Sequence, residues 1–368
     1  MSLYADLGLR PVINARGTLT VLGGSVMDPA VLQAMTEAST AFVDLVLLQR
    51  RAGERIAGLL GVEAACITSG AAAGLTIATA ALMAGDRIDA IRALPDTTGL
   101  RDQVVVLKSH RILYDQAVLL AGARFVEVGV TSAATPEQVA AAITDRTAGL
   151  FFVEEASTMR GSLPLGELIT LAHDRGVPVL VDAAAELPPA DNVRHYLDLG
   201  ADLVVFSGGK EIGGPQSSGL IVGREPYVGH CHANSFPQHG IGRGMKTDKE
   251  TIAGLVKAVE LWVGRDYDLI FEQWNAVVDT VLERFAGIPE LTVERGFPTE
   301  PGIQPTVIPR AYLTHATRPA ADLQTALLDR DQPVAVGIEN GRLAVNPQCL
   351  KPDEVPILIT ALQELFVP

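Results

Sequence analysis

Short apolar runs alternate with amphipathic stretches along most of the chain. The apolar runs have the length and β-rich composition of buried strands, and they cover residues 64–68, 104–108, 123–128, 150–153, 177–182, 203–206 and 219–222. Stretches between these runs have helical periodicity, for example residues 44–60, 71–84 and 165–175. This alternation predicts an α/β fold in which a mostly parallel sheet is covered by helices on both faces.

The pattern changes near Arg265 to an α+β arrangement. It predicts a helix over residues 267–285, strands near Leu291 and Thr306, a hairpin that turns at Asn340-Gly341, and a helix over residues 352–366. Just before this change, Thr247 to Glu250 form a capping box that opens a long helix. We therefore predict an N-terminal arm (residues 1–22), a large domain (23–264) and a small C-terminal α+β domain (265–368).

Composition narrows the class of protein. The chain has 368 residues and a net charge of −14, which argues against nucleic acid as the main partner because the phosphate backbone attracts basic faces. No apolar run is long enough to span a membrane, and no signal-peptide pattern opens the chain. The three cysteines are far apart and lack metal-ligand spacing, which fits a cytoplasmic protein without disulfides.

One lysine stands between two glycine pairs, directly after a predicted strand. Lys210 follows Gly208-Gly209 and precedes Gly213-Gly214. Glycines let the backbone approach a bound group closely, and a partly desolvated lysine loses its proton easily and can form a Schiff base with a carbonyl. A surface lysine in a hairpin loop is the alternative interpretation, whereas a P-loop is excluded by the spacing.

A second strand ends on a carboxylate. Asp182 closes the run Val177 to Asp182, and ligands of parallel sheets bind at the carboxyl ends of the strands. Asp182 and Lys210 would face one crevice. Pyridoxal phosphate (PLP) requires such a pair, a lysine for the aldehyde and an aspartate for the pyridine nitrogen. Asp182 could instead cap a helix.

Two further positions suit the same cofactor. Ser69, Gly70 and Ala71 lie between a strand and an Ala-rich helix, where free backbone N–H groups bind an anion such as the PLP phosphate. A plain helix cap has the same sequence pattern. His110 follows the strand at 104–108 and could cover the face of the pyridine ring, although a lone histidine can equally be structural.

Three histidines fall between residues 230 and 246. Their spacing matches no standard metal site, so no metal is predicted. The glycine content of this segment favours a mobile loop at the active site.

Together these motifs resemble the fold-type I PLP enzymes, which are built on a seven-stranded sheet. The closer resemblance is to the selenocysteine synthase (L-seryl-tRNA(Sec) selenium transferase) family, in its D-glucosaminate-6-phosphate ammonia-lyase-like branch. It is carried by Val12 to Thr18, Ser69-Gly70, Val179 to Asp182, Ser207 to Lys210, Gly213 to Gly223, Gly242 to Lys246 and Ile338 to Leu343. The resemblance implies PLP on Lys210, Ser207 near the phosphate, and a site at a homodimer interface.

Two departures from the transferase shape the predicted function. The Ile-Asn-Ala segment begins within the first fifteen residues, where the transferase has a tRNA domain, and Asp182 is followed by Ala183 to Glu186 as in the lyase-like branch. We therefore predict a lyase that acts on a small amino acid or amino sugar acid and releases a 2-oxo acid and ammonia. Arg16, Arg160 and Arg243 are candidates for gripping a carboxylate or phosphate of the substrate.

Other functions stay open at this point. An amino-acid racemase or epimerase would share the carbanion intermediate and reprotonate it, and a tRNA-dependent transferase would share the motifs. A PLP-binding protein without catalysis would leave the role of Lys210 unexplained.

Overall fold

The computed structural model describes residues 3–366. Its helices α1 to α14 span Leu3–Asp6, Pro29–Ser39, Leu45–Leu60, Ala71–Ala84, Ile88–Ala93, Asp115–Leu120, Pro136–Ala142, Leu165–His173, Asn192–Asp198, Glu225–Asn234, Lys249–Trp262, Tyr267–Phe285, Ala320–Leu328 and Val355–Phe366. Its strands β1 to β12 span Ile13–Ala15, Ala64–Thr68, Gln103–Leu107, Arg124–Val128, Thr147–Val153, Val179–Asp182, Leu203–Ser207, Gly219–Gly223, Leu291–Gly296, Arg310–His315, Val334–Glu339 and Arg342–Val345. None of the helices between residues 3 and 366 is long and apolar enough to cross a membrane.

The chain forms two compact units with separate cores. The large unit is Met27–Gly264, and the small unit combines residues up to Val26 with those from Arg265 onward. Residues 23–26 group with the N-terminal arm in the small unit, and the large unit ends at Gly264.

The large unit contains a seven-stranded sheet in the order β2-β8-β7-β6-β5-β3-β4. Strand β8 runs antiparallel to both of its neighbours, and the other pairs are parallel. The central strands are buried along their length, since helices such as α4 pack their apolar side chains against them. The predicted mostly parallel sheet is confirmed.

Local signals in the sequence explain where helices begin and end. Asp44 caps α3 by accepting hydrogen bonds from the backbone N–H groups of Val46 and Leu47, and Gly61 ends it in the left-handed region with φ of 66°. The capping box at Thr135 and Gln138 opens α7.

The small unit contains a five-stranded sheet in the order β1-β11-β12-β10-β9. Strand β1 of the N-terminal arm pairs in parallel with β11, and Ile13 and Ala15 enter the core of this unit. The predicted hairpin joins β11 and β12 through Asn340 and Gly341, which both have positive φ as a type I′ turn requires. The strand expected near Thr306 begins at Arg310, beyond Pro305 and Pro309, whose nitrogens cannot donate to a ladder.

Two local predictions are wrong. The segment after the lysine turn is not a loop throughout, because His230 to Asn234 form the end of α10, whose Val228 and Cys231 are buried. Helix α11 is capped by Asp248, not by Thr247, and its side chain accepts a hydrogen bond from the backbone N–H of Thr251. Asp248 stands where its carboxylate reaches the third helical N–H, and Thr247 is buried.

Candidate active site

The carboxyl ends of β2, β6 and β7 meet at one edge of the large sheet. Gly219 at the start of β8 lies opposite both Thr68, the last residue of β2, and Ser207, the last residue of β7. Asp182 ends β6, which is the parallel neighbour of β7. The sheet therefore brings Ser69, Asp182 and Ser207 to the same edge.

Close packing of glycines fixes the turn that carries Lys210. A Cβ atom on Gly209 would lie 2.4 Å from the Cα of Gln216, so no larger residue fits there. The backbone N–H of Gly208 donates to the carbonyl of Ser218 (2.9 Å), and that of Gly213 donates to the carbonyl of Lys210 (3.0 Å). The lysine thus projects from a rigid base.

The Lys210 amine has no hydrogen-bond or ion-pair partner among the described residues. Burial lowers its pKa, while the negative charges of Asp182, Glu155 and Glu186 oppose that change. A lysine that deprotonates easily can act as nucleophile and base.

Asp182 is buried beside the lysine, with 7% of its surface exposed. Its Oδ1 accepts a hydrogen bond from the backbone N–H of Ala184 at 3.1 Å. Burial raises its pKa to about 6; the Ala184 N–H and Lys210 act in the opposite direction, and Glu155 adds to the rise. A cationic N–H donor at this carboxylate would offset the cost of its burial.

Helix α4 begins with its amide groups uncapped by any side chain. Gly70 occupies the N-cap position with φ of 120°, a conformation that side chains rarely adopt. A Cβ atom on Gly219 would approach the backbone carbon of Gly70 to 2.4 Å, so β8 can pass this close only as glycine. The free N–H groups of the first turn suit a phosphate.

His110 lies within the protein, with none of its surface exposed. Its Nδ1 accepts a hydrogen bond from the backbone N–H of Val153 (3.1 Å), its Nε2 lies 2.8 Å from Ser162 Oγ, and its ring contacts Phe152. Burial lowers its pKa to about 4, so the ring is neutral at pH 7. These contacts favour a structural role, and the predicted stacking role stays a prediction.

The three candidate arginines are exposed. Arg160 follows the loop after β5. Arg243 stacks on the ring of Phe236, with its guanidinium carbon 5.0 Å from the ring centroid, and Lys246 lies over the same ring. Arg16 belongs to the small unit.

Sequence reasoning missed a group of carboxylates around Lys210. Glu154 and Glu155 directly follow β5, and Glu186 lies four residues beyond Asp182. Val153, the last residue of β5, lies opposite Asp182, so Glu154 and Glu155 leave the sheet at the same edge, and the charges of Glu155 and Glu186 act on Lys210. Their position just after strand ends was the available signal.

These residues fit PLP. A half-buried amine without a hydrogen-bond or ion-pair partner among the described residues, a buried carboxylate and an uncapped helix N-terminus correspond to the aldehyde, the pyridine nitrogen and the phosphate of that cofactor. A cavity of about 940 Å³ is lined by other parts of the large unit and by none of the predicted site residues.

The fold and the cofactor define a fold-type I PLP enzyme. A serine palmitoyltransferase of S. paucimobilis with bound PLP shares this fold, with a TM-score of 0.60 at 14% identity over 97% of this chain and 88% of that one. The model of the L-seryl-tRNA selenium transferase family matches residues 12–271. The chain belongs to this family.

Proteins similar to this chain differ in the activities that their names state. A D-glucosaminate-6-phosphate ammonia lyase of Salmonella typhimurium is 39% identical over 70% of this chain and 69% of its own length. A 5'-C-glycyluridine monooxygenase-decarboxylase of Streptomyces is 34% identical over 99% of this chain and 92% of its own. The solved structure of a D-glucosaminate-6-phosphate ammonia-lyase superposes with a TM-score of 0.86 at 30% identity, over 99% of this chain and 98% of that one.

Proposed function

We propose that the protein is a PLP-dependent lyase that removes a β-substituent from a small amino acid or amino sugar acid and releases a 2-oxo acid and ammonia. The proposal rests on the likeness to a D-glucosaminate-6-phosphate ammonia-lyase over 99% of the chain, together with a half-buried lysine and a buried aspartate at one sheet edge. Both proposed classes of substrate, amino acids and amino sugar acids, carry a carboxylate that an arginine side chain would bind.

Each residue of the site has a definite task in this reaction. Lys210 attaches the cofactor and, as a neutral amine, takes the α-proton of the substrate. Asp182 holds a proton at the pyridine nitrogen, and the amides at the start of α4, with Ser207 close by, bind the phosphate. When bound, PLP supplies the sink for the electrons left by the α-proton.

Cofactor attachment can be tested before the substrate is known. Borohydride treatment of the purified protein should fix PLP to the peptide that contains Lys210, and Lys210→Ala should abolish the labelling. Lys257→Ala, at a half-buried lysine of α11 that pairs with Glu260, is the control and should leave the labelling intact. Labelling of a different lysine would refute the assignment.

The reaction type needs a substrate screen. D- and L-amino acids and phosphorylated amino sugar acids should be incubated with the enzyme, and both ammonia and 2-oxo acid should be measured. Accumulation of both supports a lyase. Loss of optical activity without ammonia would instead identify the racemase or epimerase.

One relative favours a second candidate. The monooxygenase-decarboxylase is similar over 99% of the chain, a longer stretch than the Salmonella lyase covers. An enzyme of that type would consume oxygen and release carbon dioxide from an amino acid. An oxygen electrode in the same screen separates it from the lyase, which needs no oxygen.

We also propose that the protein is a homodimer. Phe42, Val43, Val46 and Leu47 expose apolar side chains on one short segment at the start of α3, and Phe42 is fully exposed. A second copy of the chain would cover this patch, since monomers rarely leave such segments in water. Light scattering should give the molar mass of a dimer for the wild type. The double variant Phe42→Asp, Leu47→Asp should have the molar mass of a monomer. A monomeric wild-type protein would contradict the proposal. Among the described residues the three cysteines form no disulfide, and we propose a cytoplasmic location.

A further inference from the structure

Three carboxyl groups, those of Asp182, Glu155 and Glu186, act electrostatically on the amine of Lys210, and a fourth, that of Glu154, acts on Glu186. Glu154 and Glu155 come from the turn after β5, and Asp182 and Glu186 come from the end of β6 and the loop beyond it. Each of the four acts electrostatically on at least one other member or on the lysine. In a largely buried crevice, four negative charges around one positive charge are too unfavourable to coexist, so at least one carboxyl keeps its proton.

Glu186 is the carboxyl best placed to keep it. Only 7% of the residue is exposed, and its side chain has no hydrogen-bond or ion-pair partner among residues 3–366. Its backbone is fixed at both sides, because its N–H donates to the carbonyl of Ala183 (3.2 Å) and its carbonyl accepts from the Asn192 amide (2.7 Å). The side chain is therefore held in the crevice without a neutralising contact.

The groups around Glu186 agree with a neutral carboxyl. Burial raises its pKa to about 8, the charges of Glu154, Glu155 and Asp182 add to the rise, and Lys210 opposes it. Tyr196 of α9 lies near the same group and is also neutral, since burial and the charge of Glu154 raise its pKa. Glu186 thus carries a proton at pH 7, next to the lysine that must begin the reaction without one.

The other carboxyls are less suited. Asp182 is committed to the pyridine nitrogen. The pKa of Glu154 is raised by burial, but its hydrogen bond with Ser157 and the nearby His195 oppose the rise. Glu155 is only half-buried.

We propose that Glu186 is the acid that delivers a proton to the departing β-substituent of the substrate. The inference rests on the lyase function proposed above. When Lys210 takes the α-proton, the electron pair of that C–H bond forms the new Cα–Cβ double bond, and the Cβ–O bond breaks with its pair on oxygen. The proton of Glu186 joins that oxygen, so that a hydroxyl group leaves as water and Glu186 becomes a carboxylate. Solvent restores its proton before the next turnover.

The leaving group provides the sharpest test. Glu186→Gln keeps the size of the side chain and removes the transferable proton. With D- or L-serine, whichever the wild type deaminates, the variant should release ammonia about 10²- to 10⁴-fold more slowly, the usual range for a lost general acid. With the matching isomer of 3-chloroalanine it should react at nearly the wild-type rate, because chloride leaves without a proton.

Three comparisons keep the test specific. Glu167→Gln, at an exposed glutamate of α8, should match the wild type with both substrates. Glu186→Asp keeps an acid and should recover part of the rate with serine. Exchange of the substrate α-hydrogen with deuterium oxide, followed by NMR, should continue in Glu186→Gln, since Lys210 is unchanged.

A measurement on the resting holoenzyme is independent of turnover. The infrared difference between wild type and Glu186→Gln should contain a protonated-carboxyl band that titrates near pH 8. Absence of that band at pH 7, or an equal loss of rate with serine and with 3-chloroalanine, would contradict the role of Glu186. Neither result would contradict the proposed lyase function. If the wild type releases no ammonia from any probe, the lyase proposal is wrong, and the role proposed for Glu186 is wrong as well.

Discussion

At the scale of single residues, the burial of the Asp182 carboxylate suits the bound cofactor but lowers the stability of the cofactor-free protein. Its pKa is raised from 3.8 to about 6, chiefly by burial. A carboxyl whose pKa is higher in the folded state stabilises the fold while it is protonated. That contribution is complete below pH 3.8 and is lost as the pH rises through 6.

Asp182→Asn should therefore stabilise the PLP-free protein and disable the enzyme. One pKa unit corresponds to about 1.4 kcal/mol, so at pH 8 the gain in the free energy of unfolding should be at most ~3 kcal/mol. Urea unfolding at several pH values measures it, and the gain should shrink as the pH falls towards 4. Asp174→Asn, at an exposed aspartate after α8, is the control.

Turnover of the same variant should change in the opposite direction. PLP should still bind, because Lys210 and the start of α4 are untouched, but kcat should fall by orders of magnitude since a neutral pyridine is a poor electron sink. Near-normal turnover, or no stability gain at pH 8, would show that a different carboxylate serves the cofactor.

At the scale of elements, Gly70 sets the direction of the α4 amides. Its φ of 120° excludes other residues, although a Cβ atom would find open space. Gly70→Ala should cost about 1–3 kcal/mol of backbone strain and weaken PLP binding roughly ten- to a hundred-fold. Absorbance titration of the PLP-free protein measures the affinity.

Two comparisons isolate this effect. Gly166→Ala in α8 also places its Cβ in open space but at an ordinary φ, so it should leave PLP affinity unchanged. Pyridoxal, which lacks the phosphate, should lose less affinity than PLP for the Gly70 variant. Equal losses for the two compounds would mean that α4 does not hold the phosphate.

The elements of this site were largely predictable because their signals are local. Gly61 and the Asp44 cap ended and began α3 as the sequence indicated, and the ends of β6 and β7 were visible as apolar runs that stop at Asp182 and Ser207. The burial of Glu186 was not predictable. It depends on how the loop after β6 folds near Tyr196 of α9 and near Glu154 and Glu155, which follow β5 and come from an earlier part of the chain.

His110 shows the same limit. Its place after a strand was read correctly, but whether a side chain there opens to the crevice depends on Val153 and Ser162, which bind its two ring nitrogens. A pattern along one strand cannot reveal partners that arrive from other parts of the chain.

At the scale of the whole molecule, the net charge leads us to predict that this chain does not bind tRNA, although the family name suggests a tRNA-dependent function. Its net charge of −14 opposes the phosphate backbone of tRNA. Bulk tRNA should not be retarded with the protein in a gel at 0.1 M salt, nor should added salt change the result. Tight binding that weakens steeply with salt would return the tRNA-dependent transferase to consideration.

The small unit is discontinuous in sequence, and this affects how the protein folds during its synthesis on the ribosome. Residue 13 pairs with residue 334, and the large unit, 27–264, lies between them in sequence. At translation rates of about 5–20 residues per second, β1 waits on the order of tens of seconds for its partner strand. The large unit, which carries Lys210 and Asp182, can be complete by then. Strand β1 thus emerges before the large unit but pairs only after that unit has been made, and its apolar residues stay available to a chaperone in the meantime.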